Sequence, residues 1–284
     1  MKSFELVEPA TLEEAVALLD PDDPGVRAIA GATALVPMMK ARLFQPSRLV
    51  SLRRIDGALR GVRDEGSGGL RIGALTTLTE LERSAQMQAF APVVTRALGT
   101  LSNVRIRNVA TLGGHLAHGD PHMDLPPILL TLGARVRAVS PRGERWIEMA
   151  DLVLGYYRTA IAGDELIVDV HLPAQPAGAR AWYEKFTALS ADDWPTVGVA
   201  VWYRTAAERI AEARVAVSAA TERPMRVPAA EAILTGGAAD PRTFSAAADA
   251  AAEAVEPLAD LRGSAAYKRE MVRVHVRRAL ERAR

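Results

Sequence analysis

Over the first fifty residues the apolar positions come in short runs broken by proline and glycine. Their spacing predicts strand, helix, strand, loop, helix, strand. Phe4 to Val7 reads as a short strand. Thr11, with Glu14 three residues on, has the pattern of a capping box, and Ala15, Leu18 and Leu19 keep helical spacing behind it. Pro21, Pro24 and Gly25 end that helix. Arg27 to Ala30 is a short apolar strand that runs into Gly31-Ala-Thr-Ala, and a helix follows through Met38, Met39 and Lys40. Arg48 to Leu52 is a further strand.

The pattern then changes. Leu59 to Asp64 and Leu70 to Ala74 read as a hairpin around Glu65-Gly-Ser-Gly-Gly. A helix is expected from Thr79 and a longer one from Pro92 to Leu101, followed by a glycine-rich loop from Thr111 to Pro121. Asp124 to Leu132 reads as a helix with Pro126 and Pro127 in its first turn, where proline is tolerated. Arg135 to Val139 and Arg145 to Ile147 flank a turn at Pro141-Arg-Gly. The Pro/Gly/Ala stretch from Pro173 to Gly178 marks a domain boundary. Beyond it, Ala181 to Ala188, Val197 to Arg204 and Ile210 to Ala219 predict three antiparallel strands, and the Ala-rich segment from Pro228 through Ala279 predicts a small helical bundle. The expected division is residues 1–55, 56–174 and 178–284, an α+β architecture overall.

Composition narrows the function. The 284 residues carry 35 basic and 34 acidic side chains, a net charge of +1, which gives no electrostatic case for a nucleic acid or an anionic membrane. There is no cysteine, so a thiolate-bound cluster or zinc site is impossible on this chain. No run reaches the roughly 18 apolar residues of a membrane helix. The N-terminus has no signal-like apolar run, so the expectation is a cytoplasmic protein without a membrane span.

Two glycine-bearing loops carry the candidate chemistry. Gly31, Ala32, Thr33, Ala34 and Leu35 lie between a strand and a helix, where small residues let main-chain N–H groups approach an anion such as a pyrophosphate. The same pattern also fits a plain strand–turn–helix. The second loop, Thr111 to Asp124, holds His115, His118 and His122 beside Asp120 and Asp124. A metal site is not expected, because Gly119 and Pro121 break the helical spacing between His118 and His122 that zinc binding on one helix face requires. Thr111, Gly113, Gly114 and Asp124 fit a nucleotide better, with Asp124 also suited to cap the following helix.

Together these loops resemble the FAD-binding subunits of molybdenum hydroxylases, such as aerobic carbon monoxide dehydrogenase and xanthine dehydrogenase. Ala30-Gly-Ala-Thr-Ala-Leu with Met39-Lys40 resembles the family's first FAD loop, and Ile106-Arg-Asn-Val-Ala-Thr-Leu-Gly-Gly-His with Asp120-Pro and Asp124-Leu-Pro-Pro resembles its second. Tyr183-Glu-Lys-Phe, Asp193-Trp-Pro and Tyr267-Lys-Arg resemble later signatures, so the likeness covers nearly the whole chain. Two positions depart: Ala32 stands for a glycine, and His115 for an asparagine. The methyl of Ala32 matters if that residue needs positive φ.

The resemblance implies two α/β subdomains forming a vanillyl-alcohol-oxidase-like FAD-binding fold, then a C-terminal domain of a three-stranded antiparallel sheet plus helices. It implies FAD held by residues 31–35, Thr111, Gly113, Gly114, His115 and Asp124, with Lys185 near the isoalloxazine and Trp194 stacked on it. For Lys185 and Trp194 the plainer readings are a solvated strand lysine and a core or interface aromatic. No catalytic side chain and no metal are expected on this chain. The implied partners are a large molybdopterin-binding subunit and a small subunit with two [2Fe-2S] clusters, with electrons leaving to an external acceptor, in a dimer of heterotrimers. Two alternatives stay open: a stand-alone FAD oxidoreductase of the same fold, and a structural subunit that has lost FAD.

Overall fold

The capping box at Thr11 and Glu14 forms as expected, each side chain taking the other residue's main-chain N–H. It starts α1 (Leu12–Ala17), which follows β1 (Glu5–Val7). β2 (Val26–Ile29), α2 (Leu35–Lys40) and β3 (Arg48–Ser51) complete a parallel three-stranded sheet with β3 in the centre. The computed structural model describes residues 2–55, 57–66 and 68–284. Asp56, at the expected boundary, and Ser67, in the expected hairpin turn, lie outside the described residues.

The second region is built on a five-stranded antiparallel sheet. Its strands are β4 (Val62–Asp64), β5 (Leu70–Gly73), then β6 (Arg135–Ser140) and β7 (Gly143–Glu148), with β10 (Leu166–Leu172) inserted between β5 and β6. Between β5 and β6 the chain runs through α3 (Leu78–Arg83), α4 (Ala85–Phe90), α5 (Pro92–Thr100), α6 (Val104–Arg107), α7 (Leu112–Ala117) and α8 (Leu125–Leu132). α9 (Met149–Leu152) and the small hairpin β8 (Val153–Gly155) and β9 (Arg158–Thr159) precede β10. The stretch expected as a glycine-rich loop is therefore partly helical. Thr111 caps α7 by accepting the Gly114 N–H at 3.2 Å, and the helix forms despite its Gly-Gly pair, each glycine costing about 1 kcal/mol relative to alanine. Likewise Gly57–Leu59 is a 3-10 turn, so β4 begins later than the apolar pattern suggested.

β11 (Ala179–Phe186), β12 (Val197–Ala206) and β13 (Arg209–Ser218) form the expected antiparallel sheet, to which a two-residue fourth strand, β14 (Met225–Arg226), is added. α10 (Pro228–Leu234), α11 (Pro241–Ala254) and α12 (Ala265–Ala283) cover one face of it. Alternation along β12 explains the packing. Val197, Val199, Val201 and Tyr203 face the helices, while Ala200 and Trp202 join the core of the second region. α8 lies on that side against β12, β13 and β14, with all eight of its residues buried. A helix that is apolar all round belongs in such an interior position. Gly133, at φ 72, ends it in the left-handed conformation that glycine adopts without strain. α8 thereby fixes where Asp124, at its start, projects.

Candidate cofactor site

The first loop leaves β2 and closes onto the second. A Cβ on Gly31 would stand 1.9 Å from the carbonyl oxygen of Val109, so only glycine lets the two chain segments meet. Ala32 follows at φ 58, left-handed although it is not glycine. The departure seen in the sequence is thus a strained one, of order 1 kcal/mol. Among the described residues, no partner accepts from the main-chain N–H groups of Ala32, Thr33, Ala34 and Leu35. Four consecutive half-buried donors without acceptors form a concave cradle suited to an anion.

Next to this cradle runs Val109–Ala110, leading to Thr111. The Thr111 hydroxyl is occupied as the α7 cap, although its own proton is free to be donated. Gly113 donates to Ala74 O at 2.8 Å, and a Cβ there would lie 2.7 Å from the Ala74 side chain. Close helix–strand approach explains that glycine. A Cβ on Gly114, by contrast, would meet only the Thr111 hydroxyl, at 3.0 Å. His115 is buried in α7, and its Nε2 has no hydrogen-bond partner among the described residues. Burial, reinforced by His118, holds its pKa down to about 3, so the imidazole is neutral.

Asp124 does not cap α8; its backbone is already helical and its side chain makes no cap bond. The carboxylate instead accepts from the Tyr183 hydroxyl at 2.7 Å and from Lys185 Nζ at 3.2 Å. Lys185 also donates to Thr100 O at 3.0 Å, and its side chain is only 7% exposed, so the solvated strand lysine is ruled out. Burial pushes the Asp124 carboxyl upward and Lys185 pulls the other way. Burial also raises the Tyr183 phenol, with Asp124 adding to the effect, so it stays a donor. His115 is within electrostatic reach of Lys185 and Asp120.

Trp194 sits 5.8 Å, ring to ring, from His122 and is 40% exposed, not a core residue. His122 belongs to a chain of contacts that the sequence reading left without a role. Asp120 accepts from the His122 main-chain N–H at 2.8 Å and meets Nδ1 at 2.9 Å. His122 Nε2 lies 3.4 Å from Asp260, which pairs with buried Lys268 at 2.8 Å. Tyr157 also bonds Asp120. Asp260 and Lys268 lie well over a hundred residues from His122, and no local pattern announces the connection. Among the described residues, no three His, Cys, Asp or Glu side chains converge as a metal site.

The structure therefore brings His115, Asp124 and Lys185 together, reaches Trp194 through His122, and sets residues 31–35 against the chain entering Thr111. Comparison with known proteins gives the arrangement a context. Residues 2–175 match the family model for the FAD binding domain in molybdopterin dehydrogenase, and residues 182–283 match that for the CO dehydrogenase flavoprotein C-terminal domain. The chain is 36% identical over 281 residues to the nicotine 6-hydroxylase medium subunit of Paenarthrobacter nicotinovorans, covering 99% of this chain and 97% of that one. A carbon monoxide dehydrogenase structure from Hydrogenophaga pseudoflava superposes with a TM-score of 0.95 at 38% identity, covering 99% of this chain and 97% of the other. Quinoline 2-oxidoreductase from Pseudomonas putida 86 superposes with a TM-score of 0.93 at 30% identity, covering 99% and 97%.

Proposed function

The chain belongs to the FAD-binding medium subunits of molybdenum hydroxylases, a family of oxidoreductases, and from that premise we propose that it is the electron-transfer flavoprotein of a heteromeric complex. Bound FAD would supply the redox chemistry, taking electrons from [2Fe-2S] clusters on a small subunit and releasing them to an external acceptor. Substrate oxidation belongs to a large molybdopterin-binding subunit, and whole complexes pair as dimers of heterotrimers. Residues 1–55 and 56–174 are the two subdomains that hold FAD, and 178–284 is the C-terminal domain.

The observation that carries this reading is the run of unpaired N–H groups from Ala32 to Leu35 beside the second loop. These donors suit the pyrophosphate. Thr111 and Gly114 complete that wall, Gly113 holds α7 in place, and His115 offers an uncharged imidazole with a free nitrogen to the nucleotide. Asp124 and Tyr183 fix the Lys185 ammonium, whose charge favours an anionic reduced flavin. Trp194, half-exposed beside His122, would offer the ring an aromatic surface. No cysteine is available for a thioether link, and the reading is of a cofactor held non-covalently. Acid precipitation of the purified chain should release FAD into the supernatant in about one equivalent. Protein purified without flavin, or flavin that stays in the pellet, contradicts the proposal.

A further inference from the structure

Between α7 and α8 the chain crosses residues 118–124 without helix or strand, yet Gly119, Asp120, Pro121 and His122 are buried. A buried loop has to find partners for its polar groups, and here they come from distant parts of the chain. Gly119 O accepts the Tyr157 N–H at 2.9 Å, and Pro121 O accepts the Ala219 N–H at 3.0 Å. The Tyr157 side chain bonds Asp120.

The imidazole of His122 closes the arrangement. Its Nδ1 meets Asp120 of the same loop at 2.9 Å, and its Nε2 meets Asp260, 138 residues further along, at 3.4 Å. The rings of Trp194 and Tyr156 lie 5.8 and 6.5 Å from it. Asp260 is itself anchored. It pairs with Lys268 at 2.8 Å, and Lys268 also donates to Ala219 O at 3.3 Å. Ala219 is thus held through both its N–H and its carbonyl, and its φ of 63 is left-handed for a residue that is not glycine. Such a conformation persists only where the surrounding contacts over-determine it. The C-terminal region therefore grips the loop at two points, Pro121 and His122.

We infer that His122 is a positioning residue for the flavin: by bridging Asp120 and Asp260 it fixes the placing of Asp124 and of Trp194. Asp124 stands two residues on, at the start of α8, and holds the Lys185 ammonium. Among the described residues, His122 is the ring that Trp194 meets. This role rests on the cofactor reading above, in which Lys185 and Trp194 serve the isoalloxazine. The stretches that carry the family resemblance, Asp120-Pro and Asp124-Leu-Pro-Pro, leave out His122 between them, so the bridge is a feature of this chain. A side chain that only filled space would need no polar reach, whereas both nitrogens of this ring face carboxylates. Without the imidazole Lys268 still has Asp260 beside it, so the buried ammonium keeps its counter-charge and the fold survives.

The test compares the full chain with His122→Leu, which fills the space without reaching either carboxylate, and with His122→Gln, whose amide still donates. Flavin-free protein is titrated with FAD, and the fluorescence and midpoint potential of the bound flavin are measured. Melting temperatures of the flavin-free chains report folding. His122→Leu should bind FAD about tenfold more weakly. Its bound flavin should be brighter, because the indole no longer rests on the ring and quenches it. Its midpoint potential should fall, because the ammonium that favours anionic reduced flavin is no longer held in place. His122→Gln should recover affinity and fluorescence towards wild type. Should His122→Leu not fold, His122→Ala is read in the same way. Wild-type fluorescence and potential in the apolar variant overturn the inference, even with a lowered melting temperature, by making His122 a packing residue. So does a His122→Gln chain that behaves like His122→Leu, since hydrogen bonding then has no part. A wild-type chain that binds no FAD defeats the cofactor reading itself, before any variant is compared.

Discussion

At Ala32 a methyl group occupies a backbone conformation that favours glycine. The φ of 58 crowds its Cβ against the following carbonyl. Ala32→Gly is expected to raise stability by about 0.5–1 kcal/mol, the relief of left-handed strain less glycine's greater entropy when unfolded. FAD affinity should be unchanged or higher, and differential scanning fluorimetry with a flavin titration checks both. Gly31→Ala should have the opposite effect, because its Cβ collides with the Val109 carbonyl and the loops must separate. His115 supports a pH prediction. Its imidazole stays neutral in the folded chain down to about pH 3, whereas in the unfolded chain it takes up a proton near pH 6.5. Between those values the unfolded state binds more protons, so this residue's contribution to stability is complete above pH 6.5 and is lost as pH falls towards 3. In FAD-free protein, the fall in stability between pH 7 and pH 5 should be smaller in His115→Asn than in wild type by about 2 kcal/mol. Urea midpoints at the two pH values measure it, and parallel pH dependences would show that His115 does not hold a buried neutral ring.

Among the elements, α8 makes the site possible. Its wholly buried sequence fixes Asp124 against Tyr183 and Lys185 of β11, joining the second region to the C-terminal sheet. Removing one charge of this pair strands the other. Asp124→Ala should destabilise FAD-free protein by about 3–5 kcal/mol, with much of the loss recovered by adding Lys185→Met. A double-mutant cycle by chemical denaturation tests this, and additive losses would show that the pair is not coupled. Extending the cycle to FAD-loaded protein separates support of the fold from contact with the cofactor. Much at this scale was legible beforehand. The Thr11–Glu14 box, Pro126 and Pro127 in the first turn of α8, and the alternation of β11 to β13 each declare an element through a local rule. β10 was not predicted, although Val168, Val170 and Leu172 alternate with Asp169 and His171; the two polar residues are covered through pairing with Arg137 and Glu65, which lie far away in sequence. α7 was read as loop because Gly113 and Gly114 argue against helix, and only packing against Ala74 overrides them. Within the site, the two loops were visible as motifs. The Asp124 carboxylate was expected to cap a helix or meet a ribose, and its bond to Tyr183, 59 residues away, depends on tertiary structure alone.

The whole molecule has one recognised cofactor domain and no cysteine, so it has no means of its own to move electrons between an organic substrate and a flavin through clusters. None of its loops carries a second cofactor motif, and among the described residues no helix is long and apolar enough to cross a membrane. What it offers is a cradle of main-chain donors and a buried Asp–Lys–Tyr cluster. The isolated chain is therefore expected to be inert towards organic substrates while remaining reducible by dithionite. The measurement compares the chain alone with the co-expressed complex, using an artificial electron acceptor and the substrate classes of its relatives, including nicotine, carbon monoxide, xanthine and quinoline. Turnover should appear only in the complex and disappear when FAD is stripped, returning in proportion to the FAD restored. Substrate-dependent turnover by the isolated chain would mean that it carries a substrate pocket of its own, and would favour a stand-alone oxidoreductase over a relay between other subunits' centres and an external acceptor.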